Sequence, residues 1–397
     1  GPGSGSRFPA RPAPAPALSN SSARPFVECA PAGAAAHFTN GRAVDERPRA
    51  LVLPSARDSL GLPRTDLATC CPHCIHDTGR MLDQDFLEAI GPIVRTSHLP
   101  TPGLRSEFFA RARRGEYIAL FRGIHVRAQH WHTLDRHEQY RLRVTAAAAS
   151  EHDIVISHES AAALWQLPSV GPWPNRVHSV VPLAQGGRST TAFVRHAVGL
   201  PADVVTIAGL SVTLLARTVV DLSRSAPFPH AVAVADAALR RTAHPIRGVP
   251  RTTIIVDDLR VELAAVPLRL GTARAACVID FASASADRPG ESLSRVSMHE
   301  AGIEAPELQV GLRGRSGKLY VVDFYWRRLR KIGEFDGRAK YSDPEFLRGR
   351  TPERALLDEK AREDDLRAAD NGMCRWGWET AVSPSLLRAH LAEAGIR

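Results

Sequence analysis

The sequence predicts a mixed α+β protein with three folded units behind an N-terminal tail. Three observations carry this prediction. A helix-helix-hairpin pattern occupies residues 81–134, and strands alternate with amphipathic helices over residues 135–245. A helix, three strands, a charged helix and a final strand then occupy residues 289–397. A chain of 397 residues is long enough to bury several cores.

Residues 1–80 are rich in Pro, Ala, Ser and Arg without sustained periodicity, which predicts a disordered tail. Its first residues, GPGSGS, resemble a cloning remnant, and the stretch RFPARPAPAPALSNSSARP lacks the apolar segment of a signal peptide. Cys71 and Cys74 form one CxxC, but no second ligand pair occurs at zinc spacing, so a zinc site is disfavoured. No apolar run reaches the ~20 residues of a membrane helix. We expect a cytoplasmic, nucleoid-associated protein that does not bind membranes.

The charge balance favours contact with polyanions. Lys and Arg number 51 against 42 Asp and Glu, a net charge of +9, and the isoelectric point is about 9.7. Nucleic acid is the commonest soluble polyanion, although chains from Arg-rich proteomes are often basic without binding it.

The order of elements over residues 81–134 is typical of a winged helix. LDQDFLEAIGPI and TPGLRSEFFARARRG each have helical spacing, and EYIALFRGIHVRA reads as a hairpin that turns at Arg122-Gly123. Basic residues on the second helix and the wing are candidate contacts to DNA phosphates. They are Arg105, Arg111, Arg113, Arg114, Arg122 and Arg127. A small helical domain with a solvated basic face would have the same pattern.

Residues 135–245 predict a middle α/β domain. ISHESAAALWQLP reads as a strand end and a helix with Ser157 at its N-cap, VHSVVPL and AFVRHAV read as strands, and a short strand and two helices come next. Ser157, His158 and Asp221 are the residue types of a hydrolase triad, but the chain has no GxSxG elbow, so that reading is disfavoured. Residues 246–288 predict a connector with some helix.

The C-terminal unit, residues 289–397, carries the acidic candidates. PGESLSRVSMHEAGI predicts a helix with Glu291 in its first turn, and ELQVGLRG, KLYVVDFYW and KIGEFDG predict three strands. A hairpin centred near Arg328 places Asp323 opposite or diagonal to Glu334. Strand alternation puts Asp336 on the same face as Glu334.

Three carboxylates at one sheet edge repel each other unless a cation neutralises them, and carboxylate oxygens suit Mg²⁺ or Mn²⁺. Asp323, Glu334 and Asp336 are therefore candidate metal ligands, joined by Glu291 from the preceding helix. Such a site suits metal-assisted hydrolysis of phosphodiesters, in which a lysine, here Lys340 or Lys360, orients the attacking water. The alternative is an exposed acidic hairpin, or acids that pair with the nearby arginines Arg327, Arg328, Arg330 and Arg338.

Two stretches resemble known families. Residues 85–240, through RRGEYIALFRGIHV, ISHESAAALWQLP, LLARTVVDL and AVAVADAAL, resemble actinobacterial AbiEi-type antitoxins of type IV toxin–antitoxin systems. Residues 288–378 resemble very-short-patch-repair and PD-(D/E)xK endonucleases. The motifs that carry this second resemblance are PGESLSRV, ELQV, VVDF, GEFDGRAKY, EKAREDDLRA and RWGW.

The resemblance implies a DNA-binding winged helix and a restriction-endonuclease-like C-terminal domain. By motif, Glu291 corresponds to the helix acid, Asp323 to the central acid and Glu334 to the acid of (D/E)xK, whereas Asp336 stands at the usual lysine position. The resemblance therefore implies that Glu291, Asp323 and Glu334 are the metal ligands, with Asp336 as an added acid. The expected function is a DNA-binding protein with a metal-dependent endonuclease-like domain. The alternative is a non-catalytic antitoxin or transcriptional regulator. Expected partners are double-stranded DNA, a cognate toxin and a second copy of the chain.

Overall fold

The structure is a computed structural model that describes residues 92–148, 151, 153–241, 246, 248–267, 270–337 and 351–397. This part of the chain has a mixed α+β fold with three sheets, as the sequence predicts. The tail with Cys71 and Cys74 lies outside the described residues, and so does Lys340.

The N-terminal unit contains β1 (Ile93–Arg95), α1 (Pro102–Arg113), β2 (Tyr117–Phe121), β3 (Ile124–Arg127), α2 (Ala128–Thr133) and α3 (Arg136–Ala148). Its antiparallel sheet has the order β1-β3-β2. The predicted second helix and hairpin are both present. Helix α1 starts where the Thr101 hydroxyl accepts a hydrogen bond from the Leu104 amide at 3.1 Å, and left-handed Gly115 lies just past its end.

The segment predicted as the first helix, LDQDFLEAIGPI, lies outside the described residues except for its last two. Those two, Pro92 and Ile93, lead into β1 rather than ending a helix. Ile93 and Val94 are β-branched, and they pair with Val126 and His125 of the hairpin. Pairing with the hairpin therefore decides the conformation here, and helical periodicity does not extend this far.

The middle unit contains β4 (Val155–Ile156), α4 (His158–Leu164), β5 (Val177–Val180), β6 (Phe193–His196), β7 (Val204–Ile207), β8 (Leu210–Thr213), α5 (Leu215–Ser225) and α6 (Phe228–Arg240). The sheet has the order β6-β5-β4-β8-β7. Most of these elements match the prediction, but the sequence analysis missed β7. That strand forms a hairpin with β8 through Ala208 and Gly209, both at positive φ.

The connector forms α7 (Val256–Ala265) and α8 (Thr272–Phe281), which pack on α5 and share its large apolar core. The C-terminal unit then contains α9 (Pro289–Glu300), β9 (Glu307–Arg313), β10 (Leu319–Trp326), β11 (Lys331–Phe335), α10 (Pro352–Arg367), β12 (Gly372–Trp376), α11 (Trp378–Ala381) and α12 (Pro384–Glu393). The sheet order is β12-β11-β10-β9, with β12 parallel to β11 and the other neighbours antiparallel. Helix α10 is the crossover between the two parallel strands.

The two faces of the C-terminal sheet are covered by different helices. Met298 of α9 packs with Phe335 in one apolar cluster. Leu366 of α10 packs with Ile332 in another. Ile332 and Phe335 are three positions apart on β11, so they point to opposite faces of the sheet. Helices α9 and α10 therefore bring their side chains to the strands from opposite sides.

Candidate functional site

The candidate site lies where β10 and β11 separate. Their paired residues run from Trp326 and Lys331 to Phe324 and Gly333. Continuing this register brings Asp323 level with Glu334, one of the two arrangements that the sequence predicts, but the two residues form no strand pair. Beyond the pair of Phe324 and Gly333, side chains form hydrogen bonds to the backbone groups of β10 and β11. The Asp323 carboxylate accepts a hydrogen bond from the Phe335 amide at 3.0 Å.

Three elements bring polar side chains to Asp323. Glu291 comes from the first turn of α9, and Gln309 comes from β9. The Gln309 side-chain amide donates to Glu291 Oε2 at 2.9 Å and to Asp323 Oδ1 at 3.3 Å. The backbone amide of Asp287 also donates to Glu291 Oε2, at 2.9 Å. Two carboxylates thus converge on one amide group, and we call Glu291, Gln309 and Asp323 the acid–amide cluster.

The electrostatics of the acid–amide cluster are unusual for a carboxylate pair. Glu291 is 3% exposed. Burial, with the Asp323 carboxylate beside it, raises the pKa of Glu291 to about 8. Desolvation and a like charge both disfavour the ionised form, so the pair holds a proton at neutral pH. Clustered groups with shifted pKa values are typical of functional sites.

Gln309 owes its position to an uncommon backbone conformation. Its φ of 49° lies in the left-handed region, which a non-glycine residue seldom adopts. Gln309 lies between the paired residues Leu308 and Val310 and opposite Asp323. Leu308 packs with the α9-side cluster and Val310 with the α10-side cluster, so the strand reverses its faces at Gln309.

Glu334 does not join the acid–amide cluster. It lies on the α10 side, where Arg362 donates to its Oε1 at 2.5 Å and Arg375 lies 3.2 Å from its Oε2. Glu334 is 3% exposed, so the two guanidinium groups neutralise a buried charge. Arg362 also donates at 2.8 Å to the backbone carbonyl of Val321, which lies on β10 near the point where β10 and β11 separate.

Arg375 continues this network on the α10 side. It donates to Glu359 at 2.6 Å, and it lies 3.3 Å from Glu363 and 3.9 Å from Asp336. The predicted added acid Asp336 thus lies within ion-pair distance of an arginine. The alternative reading, in which the acids pair with arginines, holds for Glu334, although the partners are Arg362 and Arg375.

Lys360 does not face Glu334. It is exposed on α10, two positions before Arg362. Because successive helix residues are about 100° apart, two positions turn Lys360 about 200° away from Arg362. The helix packs across the sheet as the lysine prediction requires, but it presents an arginine.

The predicted set of three metal ligands is divided between the two sides of the sheet. In the described part of the chain, no three His, Cys, Asp or Glu side chains are arranged to hold a metal ion. Two predicted ligands, Glu291 and Asp323, do converge, and the Gln309 side chain beside them carries an amide oxygen as well as the amide that donates to both. Carboxylate and amide oxygens are suitable donors for Mg²⁺ or Mn²⁺, so this cluster fits such a cation in the chemistry of its donors.

The predicted DNA contacts of the N-terminal unit fall into two groups. Arg111 and Arg114 both contact Glu116, at 2.6 and 2.9 Å, and Arg114 also lies 3.7 Å from Glu107, so two acids offset much of their charge within the chain. The exposed Arg113 and Arg122 form no ion pair with any residue that the structure describes. Arg105, also exposed, donates to the Leu99 carbonyl at 3.3 Å, and Arg127 is half-buried.

The disfavoured hydrolase triad is not assembled. The Ser157 hydroxyl contacts His158 Nδ1 at 2.9 Å, but Asp221 pairs with Arg217 at 3.0 Å. The His158 ring instead stacks on His196, with 3.6 Å between ring centroids.

Sequence reasoning missed Gln309, Arg362 and Arg375. The motif ELQV drew attention to the strand but not to its polar third residue. Arg362 lies in EKAREDDLRA and Arg375 lies in RWGW. Charged residues on such a helix or at the end of a strand are usually exposed to solvent. Their roles depend on which helix face meets the sheet, and composition does not report that.

Comparison with known proteins yields two curated relatives. Uncharacterized protein Rv2248 of Mycobacterium tuberculosis strain H37Rv is 29% identical to this chain over 178 residues, 44% of the chain. Uncharacterized protein MT2308 of strain CDC 1551 / Oshkosh matches equally. The chain spans 60% of the length of each relative. No family model matches the chain. In the described residues, no helix is long and apolar enough to cross a bilayer.

Proposed function

We propose that this chain binds double-stranded DNA and that its C-terminal unit is a divalent-cation-dependent DNA endonuclease. The observation that carries the proposal is the acid–amide cluster. Glu291 and Asp323 come from different elements and both accept a hydrogen bond from the same Gln309 amide, and burial beside Asp323 raises the pKa of Glu291. A buried and a half-buried carboxylate held together in this way would be stabilised by a cation that replaces the proton of Glu291.

The elements that carry the family resemblance support the same proposal. PGESLSRV lies on α9, ELQV on β9, VVDF on β10, and GEFDGRAKY begins on β11. EKAREDDLRA lies on α10 and RWGW starts at the end of β12. The motifs therefore occupy one sheet and the helices on its two faces, and two of the acids that they contribute, Glu291 and Asp323, converge on Gln309.

The chemistry divides between the cation and the protein. Glu291, Asp323 and the side-chain oxygen of Gln309 would hold a Mg²⁺ or Mn²⁺ ion, which would supply polarisation of the scissile phosphate and a lower pKa for the attacking water. Asp323 is held in place by the Phe335 amide, so one of its oxygens keeps a fixed direction. Glu291 would have to lose its proton, and Gln309 would have to turn its amide from donating to accepting, for all three oxygens to face the cation.

DNA binding is assigned to the N-terminal unit, which we propose to be a winged helix. Arg113 and Arg122 are exposed and have no internal ion pair among the described residues, and the whole chain carries a charge of +9. Contacts of this kind fix a protein on the phosphate backbone and weaken steeply with salt. Binding should therefore depend on salt whether or not the C-terminal unit cleaves DNA.

The test is plasmid nicking with Mg²⁺ or Mn²⁺ and an EDTA control. We expect Asp323→Asn and Glu291→Gln each to abolish cutting. Glu300→Gln is the matched control, because Glu300 is an exposed acid at the other end of the same helix, and it should cut like wild type. Cutting that persists in Asp323→Asn, or that EDTA leaves unchanged, would contradict the assignment.

One observation favours a second candidate, a non-catalytic AbiEi-type antitoxin or regulator. Glu334, which corresponds to the acid of (D/E)xK, is neutralised by Arg362 and Arg375. A C-terminal unit with this arrangement would serve as a DNA clamp, a dimer contact or a toxin-binding module. Salt-sensitive duplex binding without cutting under any metal condition would favour this candidate.

A further inference from the structure

A cleft of about 1120 Å³ lies between the N-terminal unit and the start of β6, apart from the acid–amide cluster. Its walls combine basic and aromatic side chains. The lining residues that matter for the argument are Arg95, His98, Phe109, Arg122, His125 and Glu151. None of them belongs to the proposed nuclease site.

The hairpin turn fixes Arg122 at the rim of the cleft. The Thr96 amide donates to the Gly123 carbonyl at 2.9 Å, and the Thr96 hydroxyl contacts the same oxygen at 3.4 Å. Gly123 has φ +77°, a conformation in which glycine is strongly preferred. The turn is therefore tied to the segment just after β1, and Arg122 and Arg95 line the same cleft.

The charge of the cleft is positive. Arg122 is exposed and has no ion pair in the part of the chain that the structure describes. Glu151 is a carboxylate at the cleft, and Arg195 donates to it at 2.7 Å, so its charge is compensated. A ligand that enters here meets uncompensated guanidinium charge, which favours an anion.

His125 and Phe109 give the cleft a second recognition element. The Nδ1 atom of His125 is buried and has no hydrogen-bond partner among the described residues. Burial lowers the pKa of His125, so the neutral ring can donate or accept one hydrogen bond. A buried polar atom without a partner is uncommon and calls for an explanation such as a ligand. Phe109, 43% exposed, lies edge-on to His125, with 6.4 Å between ring centroids.

We propose that this cleft binds a nucleotide unit of single-stranded nucleic acid. The phosphate contacts Arg122 and Arg95, the base stacks on Phe109, and a polar edge of the base satisfies His125. Exposed aromatic rings beside guanidinium groups are the usual means of binding single strands. The volume is at the upper end for pockets that enclose one small ligand, which favours a strand over a free nucleotide.

The experiment measures fluorescence anisotropy of the full chain with a labelled twelve-residue oligothymidylate and with a duplex of equal length. We expect Arg122→Ala to weaken single-strand binding about tenfold and Phe109→Ala at least about fivefold. Arg136→Ala removes the same charge from the exposed first residue of α3, outside the cleft lining, and it should weaken single-strand binding less than about threefold.

Three outcomes would overturn the proposal. The first is equal loss in Arg122→Ala and Arg136→Ala, which would indicate a diffuse charge effect. The second is unchanged binding in both Phe109→Ala and the shape-preserving His125→Phe, with circular dichroism melts that show both variants folded. The third is thymidine 5′-monophosphate binding as tightly as the oligonucleotide, which would reassign the cleft to a free nucleotide.

Discussion

The ion pair between Arg362 and Glu334 allows a quantitative prediction about the C-terminal unit. The Arg362→Met variant keeps most of the side-chain volume and removes the charge. It eliminates the 2.5 Å hydrogen bond to Glu334 and the 2.8 Å bond to the Val321 carbonyl. Arg375 still lies 3.2 Å from Glu334, so the buried carboxylate keeps one partner. Complete loss of partners at a buried charge costs about 3–5 kcal/mol, so the retained arginine reduces the expected cost to about 2–3 kcal/mol.

The measurement is urea unfolding monitored by tryptophan fluorescence, with Arg367→Met as the matched control on the same helix. Arg367 pairs with Glu363 at 2.8 Å, but its side chain is 48% exposed, so its loss should cost about 0.5 kcal/mol. In a Glu334→Gln background, the cost of Arg362→Met should fall by about 1–2 kcal/mol. Equal costs for the two arginine variants, or the same cost of Arg362→Met with and without the Glu334 charge, would refute this reasoning.

Two titrating groups and one glycine give the remaining predictions. The pKa of Glu291 is raised from 4.5 to about 8, so between these pH values the folded chain binds more protons than the unfolded chain, and its stability falls as pH rises. Between pH 4.5 and 7, wild type should lose about 3 kcal/mol of unfolding free energy relative to Glu291→Gln in urea titrations. A difference between the two proteins that stays constant with pH would disprove this prediction. Burial and the neighbouring His178 imidazole lower the pKa of His196 to about 4, so the sign reverses. Stability is lost as pH falls from 6.5 towards 4, and His196→Asn should lack this loss in the same assay. Gly333→Ala places a methyl group 2.6 Å from the Trp376 ring and should lower the stability of the fold by about 1–3 kcal/mol in thermal melts. The control Gly311→Ala, whose added methyl group lies 3.5 Å from its nearest neighbour, should lower stability clearly less. Equal losses in the two variants would exclude steric overpacking at Gly333.

Much of the C-terminal fold was predictable because its signals are local. Alternation and a short loop predicted the hairpin of β10 and β11, and the loop length set the register that brings Asp323 level with Glu334. The helix of Glu291 was predictable from its apolar spacing and from Gly302 at its end, where φ is +68°. Each of these features depends on residues that are close together in the sequence.

The first predicted helix and the arginine assignments show where local signals were insufficient. Ile93 ended a helical pattern in the sequence, but it pairs with Val126 of the hairpin. Arg111 and Arg114 were candidate DNA contacts, and both are engaged by Glu116, which lies just past the helix end. In each case a partner from outside the predicted element determines the outcome.

The sequence by itself determined the mixed α+β class, most of the middle and C-terminal strands and helices, and the acids that could serve a cation. The tertiary structure decided how those acids are divided. It brought Gln309 to Glu291 and Asp323 through a left-handed residue in β9, and it rotated α10 so that Arg362 rather than Lys360 meets Glu334. The physical reason is that side-chain direction on a packed helix or a distorted strand depends on the neighbouring elements, which no short stretch of sequence specifies.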